Sequence, residues 1–253
     1  MKKMPCDKMQ VLICDSNTAA GAAAADDLAE LLRTTIAERG EAAIILATGN
    51  SQLSFMKALR AKPDISWDKV IVFHMDEYQG MSEEHPASFR RYIREHLTNH
   101  IHPRVFYGIA GDALDVECEM ARYAILLEQH EPDACVLGIG ENGHLAFNDP
   151  PADFVTDKLI HVIELAEISR RQQVGEGHFA SVDDVPKRAI TLTIPALLKP
   201  AHVLAVVPEA RKAQAVQRAL EGPVTPDCPA SILRTLPQVR LYLDPESASM
   251  LKV

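Results

Sequence analysis

Short, almost uninterrupted apolar runs alternate along this chain with longer segments whose apolar positions recur at helical spacing. The runs are Val11–Cys14, Ala43–Ala47, Val70–Met75, Ala134–Ile139, Ile160–Ile163, Val203–Val207 and Val239–Leu243. Runs this short and this continuous predict strands of a mainly parallel sheet covered on both faces. The first helical segment, about Thr18 to Arg39, is rich in alanine, places Leu28, Leu31, Leu32 and Ile36 on one face, and stops at Gly40. Further helices are predicted over Gln52–Arg60, Ala87–Leu97, Asp115–Gln129, Glu209–Glu221 and Ser231–Leu236. Strands separated by helices predict an α/β fold, a Rossmann-like three-layer sandwich in a single domain spanning 1–253. The stretch 148–186, with its Pro, Asp, Gly and paired Arg residues, is the least regular and is expected to be a lid.

Composition narrows the class of function. Of 253 residues, 47% are hydrophobic and 24% charged, which is ample for a sizeable core. The formal net charge of −9 leaves no basic stripe for nucleic acid, so an anionic ligand needs a local positive pocket. No apolar stretch approaches the roughly 20 residues that span a bilayer. The N-terminal lysines precede no signal-type apolar core, so a cytoplasmic protein with no membrane partner is expected. The cysteines Cys6, Cys14, Cys118, Cys135 and Cys228 are odd in number and lack metal-type spacing. Reduced thiols are expected, with neither a disulfide framework nor a metal site.

In sheets of this kind ligands sit beyond the carboxyl ends of the strands, so the residues after each run carry the chemistry. Thr48-Gly49-Asn50-Ser51 stands between a strand and a helix and reads either as a phosphate cradle or as a tight turn capped by Ser51. Asp76 and Glu77 place two carboxylates after the third run, as a general base or as an acidic cap on the next turn. The richest segment runs from Gly138 to Pro150, with three glycines and His144 among Glu141, Asn142 and Asp149. An imidazole with such partners suits proton transfer near neutral pH.

These segments, in this order, resemble the sugar-phosphate deaminase and lactonase family, on its glucosamine-6-phosphate deaminase branch. The resemblance runs from about Ala42 to Leu243. It includes Asp76-Glu77-Tyr78 followed by His85-Pro86-x-Ser88, Phe147-Asn148-Asp149-Pro150, and Lys212-Ala213-x-Ala215-Val216 followed by Glu221-Gly222. It implies aldose–ketose isomerisation coupled to loss of ammonia, without a cofactor. Asp76 is then the base at C2 and C1, His144 opens the pyranose ring, and Asn142 and Asp149 orient the imidazole. Thr48, Gly49, Asn50, Ser51 and Lys212 hold the phosphate, with Glu77 and Gly143 beside them. A small-molecule sugar phosphate is the implied partner, and assembly into a homo-oligomer is left open.

Three positions depart from the family's pattern. Asn142 stands where many members carry Asp, Asp149 where deaminases more often have Glu, and Gly175 where an arginine reaches the phosphate. Arg170 or Arg171 is expected to supply that cation from a neighbouring position. The competing readings are a 6-phosphogluconolactonase-type hydrolase, against which Asp76 and Phe147–Pro150 argue, and a non-catalytic sugar-phosphate sensor. Sensors of this architecture normally carry a helix-turn-helix module, for which there is no room before Val11.

Overall fold

The computed structural model describes residues 1–252. The strands are β1 (Lys2–Cys6), β2 (Met9–Ile13), β3 (Ala42–Leu46), β4 (Val70–His74), β5 (Asp76–Tyr78), β6 (Val105–Tyr107), β7 (Ala134–Leu137), β8 (Ile160–Glu164), β9 (Arg188–Leu192), β10 (His202–Val207) and β11 (Val239–Leu243). The helices are α1 (Asn17–Arg39), α2 (Leu53–Arg60), α3 (Phe89–Ile93), α4 (Asn99–Ile101), α5 (Val116–His130), α6 (Glu167–Gly175), α7 (Ile194–Leu198) and α8 (Ala213–Glu221). A π turn, Arg94–Thr98, joins α3 to α4.

Eight strands form one sheet in the order β1-β2-β11-β10-β7-β3-β4-β6. Every pairing is parallel except that of β1 with β2. Alternate residues of the central strands enter two separate cores. Ile45, Phe73, Leu137, Ala205 and Leu241 point to one face, whereas Ile44, Val72, Val136, Leu204 and Tyr242 point to the other. Both faces being dry is what makes the strands read as continuous apolar runs. The helix α1 covers one face, with Ser16 capping its start by accepting a hydrogen bond from the Ala19 amide.

The expected α/β sandwich is thus present, with four strands added. In β1 a proline and two lysines mask a solvent-exposed edge strand, where proline costs no ladder bond. β6 is a three-residue edge strand, and β5 consists of Asp76, Glu77 and Tyr78, whose polarity hides it. β9 lies just after the stretch expected as a lid. The run at Ile160 is also redirected. Instead of joining the main sheet, β8 pairs antiparallel with β9, and β9 with β5, in a second sheet of order β5-β9-β8. Residues 148–186 contain β8, α6 and a short 3-10 turn at Val182–Asp184, with irregular chain before and between them. The segment expected as a helix over Ser231–Leu236 is a 3-10 helix, Pro229–Thr235. No described helix is long and apolar enough to cross a membrane.

The chain passes from β3 outward to β4 and from β7 outward to β10, so the connections diverge between β3 and β7. Such a divergence opens a crevice at the carboxyl ends of the strands.

Candidate active site

That crevice is a cleft partly open to solvent. Its walls come from the turn after β3 (Ala47, Thr48, Gly49, Ser51), the β4–β5 junction (Met75, Asp76), the loop after β7 (Gly138, Ile139, Gly140, His144, Ala146, Phe147), Phe89, Lys212 and the helix α6 end (Gln172, Gln173, Glu176).

Asp76 begins β5 where the chain crosses from the large sheet to the small one. It is 6% exposed, and its Oδ1 has no hydrogen-bond partner among the described residues. Burial first, and the Glu77 carboxylate second, push its pKa well above the usual carboxylate range. An unpartnered carboxylate with raised basicity, facing a cleft, is suited to taking a proton from carbon.

Glu77, one residue on, points the other way because side chains alternate along a strand. It accepts hydrogen bonds from the Tyr78, Phe89 and Arg90 amides and from Ser88 Oγ, and Arg90 Nε lies 3.4 Å away. It is fully buried and absent from the cleft wall, so the substrate contact expected of it is corrected. Glu77 instead fastens the start of α3 to β5. Its pKa is raised by burial, against the pull of those hydrogen bonds.

His144 lies in the loop after β7 with its imidazole flat against Gly140. A side-chain carbon at residue 140 would fall 2.2 Å from the ring, so only glycine admits the ring there. The Nδ1 edge faces Asp149 Oδ1 at 3.3 Å and Ser169 Oγ at 3.2 Å. Ser169 donates to Asp149 Oδ1, leaving its oxygen to accept from Nδ1–H. This arrangement assigns the proton to Nδ1 and leaves the Nε2 lone pair for a ligand. For Asp149, burial opposes ionisation, but His144, Ser169 and Asn142 more than offset it and hold its pKa at about 2.

Asn142 does not touch the imidazole. Its amide donates to Asp149 Oδ1 at 2.9 Å, and its carbonyl oxygen accepts from the His144 amide at 3.0 Å. It therefore orients the histidine through Asp149 and the backbone. Ser169 is a site residue that sequence reasoning misses. Nothing local marks a buried serine on α6 as the third partner of a histidine 25 residues earlier.

Thr48, Gly49 and Ser51 also line the cleft. Asn50 turns outward, donating to the Glu176 carbonyl at 3.1 Å. Lys212 is 3% exposed and forms no ion pair among the described residues. Burial first, then the Arg211 charge, lower its pKa. Gly143 shapes the loop behind His144, with its carbonyl accepting from the Ala230 amide, and does not reach the cleft.

Neither expected arginine reaches the cleft. Arg170 bonds the Val182 carbonyl, and Arg171 pairs with Glu167 in solvent. The cation nearest Lys212 in sequence, Arg211, was not singled out, since an arginine beside a lysine on a helix normally reads as surface charge. No group of three or more His, Cys, Asp or Glu side chains among the described residues is placed to hold a metal ion.

Comparisons with known proteins agree with this arrangement. The model of the family described as glucosamine-6-phosphate isomerases/6-phosphogluconolactonase matches residues 15–241. A glucosamine-6-phosphate deaminase of Exiguobacterium sibiricum is 38% identical over 223 residues, covering 88% of this chain and 86% of the relative. A solved structure of a monomeric glucosamine-6-phosphate deaminase superposes with a TM-score of 0.87 at 32% identity, covering 95% of this chain and 99% of the other. A 6-phosphogluconolactonase from Shewanella baltica shares the fold, with a TM-score of 0.76 at 21% identity over 92% of this chain and 96% of its own. The chain belongs to the glucosamine-6-phosphate isomerase/6-phosphogluconolactonase family.

Proposed function

We propose that the chain converts glucosamine 6-phosphate into fructose 6-phosphate and ammonia. The observation that carries this reading is the presence, in one cleft, of an unpartnered carboxylate of raised pKa (Asp76), an imidazole with a free Nε2 (His144) and a buried lysine that forms no ion pair among the described residues (Lys212). His144 Nε2 takes the proton of the C1 hydroxyl and passes it to the ring oxygen, opening the pyranose, while the Asp149–Ser169 relay holds the imidazole in that tautomer. Asp76 then takes the C2 proton and returns it to C1 through an enolamine, with an amine proton ending on O1, leaving an imine at C2 that adds water and releases ammonia. Lys212 and the Thr48–Ser51 turn hold the phosphate far from the bonds that change. All of these groups come from one chain, so the site needs no second copy. We place the reaction in the cytoplasm, which suits the five free cysteines.

The lactonase reading asks for a histidine that activates water and gives no task to an unpartnered Asp76. The deciding experiment measures ammonia release over a panel of hexosamine 6-phosphates alongside hydrolysis of 6-phosphogluconolactone. Ammonia from glucosamine 6-phosphate is expected; lactone hydrolysis without ammonia release would reverse the assignment.

Lys212→Ala is expected to raise KM for the phosphorylated substrate by about 10- to 100-fold while lowering kcat much less, because a remote phosphate contact is made equally in ground and transition states. Steady-state kinetics check this, and an unchanged KM would place the phosphate elsewhere.

A further inference from the structure

The phosphate end of the cleft already holds an anion supplied by the chain itself. Glu176 follows the last turn of α6, and its side chain is only 5% exposed. Its Oε1 accepts from Arg211 Nη1 at 2.9 Å and from Gln172 Nε2 at 2.9 Å. Its Oε2 lies against the Gly49 backbone, 3.5 Å from where a side-chain carbon would sit. The carboxylate thus rests on the turn that reads as a phosphate cradle, between the Arg211 guanidinium and the wall carrying Lys212. Burial disfavours its charge, yet His178, Gln172, Arg211 and Lys212 hold its pKa at about 2, so it stays ionised at any working pH.

An incoming phosphate dianion and this carboxylate cannot share that end of the cleft without strong like-charge repulsion. Resting on the reading that the cleft takes a sugar phosphate, we propose that Arg211 is the second cation of the phosphate site and that the substrate's phosphate displaces Glu176 from it.

The structure equips both partners for the exchange. Glu209 at 2.6 Å and Glu141 at 3.3 Å keep hold of Arg211 when Glu176 leaves, so the guanidinium stays in place. On the other side, Gly175 has no atom near enough to crowd even an added side-chain carbon, and Gly177 sits at φ +84°, in the left-handed region, with equally open surroundings. The backbone at Glu176 is held by Asn50 and by the end of α6, so the carboxylate leaves by rotation of its own side chain. Arginine's planar fork matches phosphate geometry, which makes Arg211 a better phosphate partner than the point charge of a lysine alone. The return of Glu176 after reaction competes with the product phosphate, loosening its hold and aiding its departure.

Inorganic phosphate is the probe, titrated calorimetrically into the full chain as wild type, Glu176→Gln, Glu176→Ala and Arg211→Ala, with melting temperatures recorded to confirm folding. Both Glu176 variants are expected to bind phosphate about tenfold more tightly, and Arg211→Ala about tenfold more weakly, the scale of one partly buried ion pair gained or lost. Unchanged or weaker phosphate binding in both folded Glu176 variants overturns the exchange. So does undiminished binding in folded Arg211→Ala. Because the readout is binding, the result stands apart from the reaction proposed above. Phosphate exchange without ammonia release would remove that reaction alone, and ammonia release without exchange would remove this proposal alone.

Discussion

Asp76→Asn is expected to lower turnover of glucosamine 6-phosphate by about 10³- to 10⁴-fold, the upper range for loss of a general base. The amide keeps the size of the carboxylate but cannot accept the C2 proton. Because Asp76 Oδ1 has no partner, the substitution breaks no hydrogen bond of that atom. Removing a buried, destabilised charge should leave stability unchanged or slightly higher, so melting temperature separates chemical loss from unfolding. The wild-type pH profile carries a second signature. The base must be ionised to act, and burial with the neighbouring Glu77 raises its pKa. Activity is therefore lost, as pH falls, at a value above the ordinary carboxylate range. Near wild-type ammonia release from the amide variant would remove Asp76 from the mechanism.

The second large effect is expected at His144. In His144→Gln, turnover of the closed pyranose should fall by about 10²- to 10³-fold, since general acid assistance to ring opening disappears. Exchange of the C2 proton on an open-chain analogue should persist, because Asp76 lies on a different strand end and performs that step alone. Comparing the two rates by solvent deuterium incorporation checks this. Equal loss on both substrates would show that His144 serves the C1–C2 proton transfer or the loop's conformation instead. The same comparison on Ser169→Ala tests the relay. The imidazole would keep Asp149 but lose the hydroxyl that bridges them, so the loss should again be confined to the closed ring and be smaller.

The fold was legible wherever burial on both faces left its mark. The runs at Ala43, Val70, Ala134, Val203 and Val239 became neighbouring parallel strands because nothing polar interrupts them. What escaped were elements whose residues answer to something other than the main core. Lys2 to Cys6 lies on an edge, and Asp76 to Tyr78 is a strand made of functional and anchoring residues. At the site, positions immediately after strands were readable because topology brings such turns to one crevice, and Asp76, His144, Lys212 and the Thr48 turn do meet there. Alternation within a strand could not be read while β5 went unrecognised, which is why Glu77 was expected beside Asp76 rather than behind it. Partners contributed by α6 were harder still. Ser169 and Glu176 are brought to the cleft by a helix whose place depends on the second sheet, and no periodicity announces a contact of that kind.

One face of that second sheet has a core of its own, whereas Ile160, Ile190 and Leu192 on the other face join the core of the large sheet. Tyr78, Met81, Ala87, Phe89, Phe147, Leu165, Val185 and Ala189 form an apolar cluster separate from the two that line the large sheet. A small cluster opens more cheaply than a large one, and contiguous units of a protein unfold locally according to what each buries. Asp76 is a residue of the small sheet, while His144 follows a strand of the large one. The two proton-handling groups thus sit on different sheets joined through Ile160, Ile190 and Leu192, with the small cluster closing the outer face of the second sheet. Their spacing depends on both contacts, so loosening of the small cluster misaligns the machinery while the larger core is still folded.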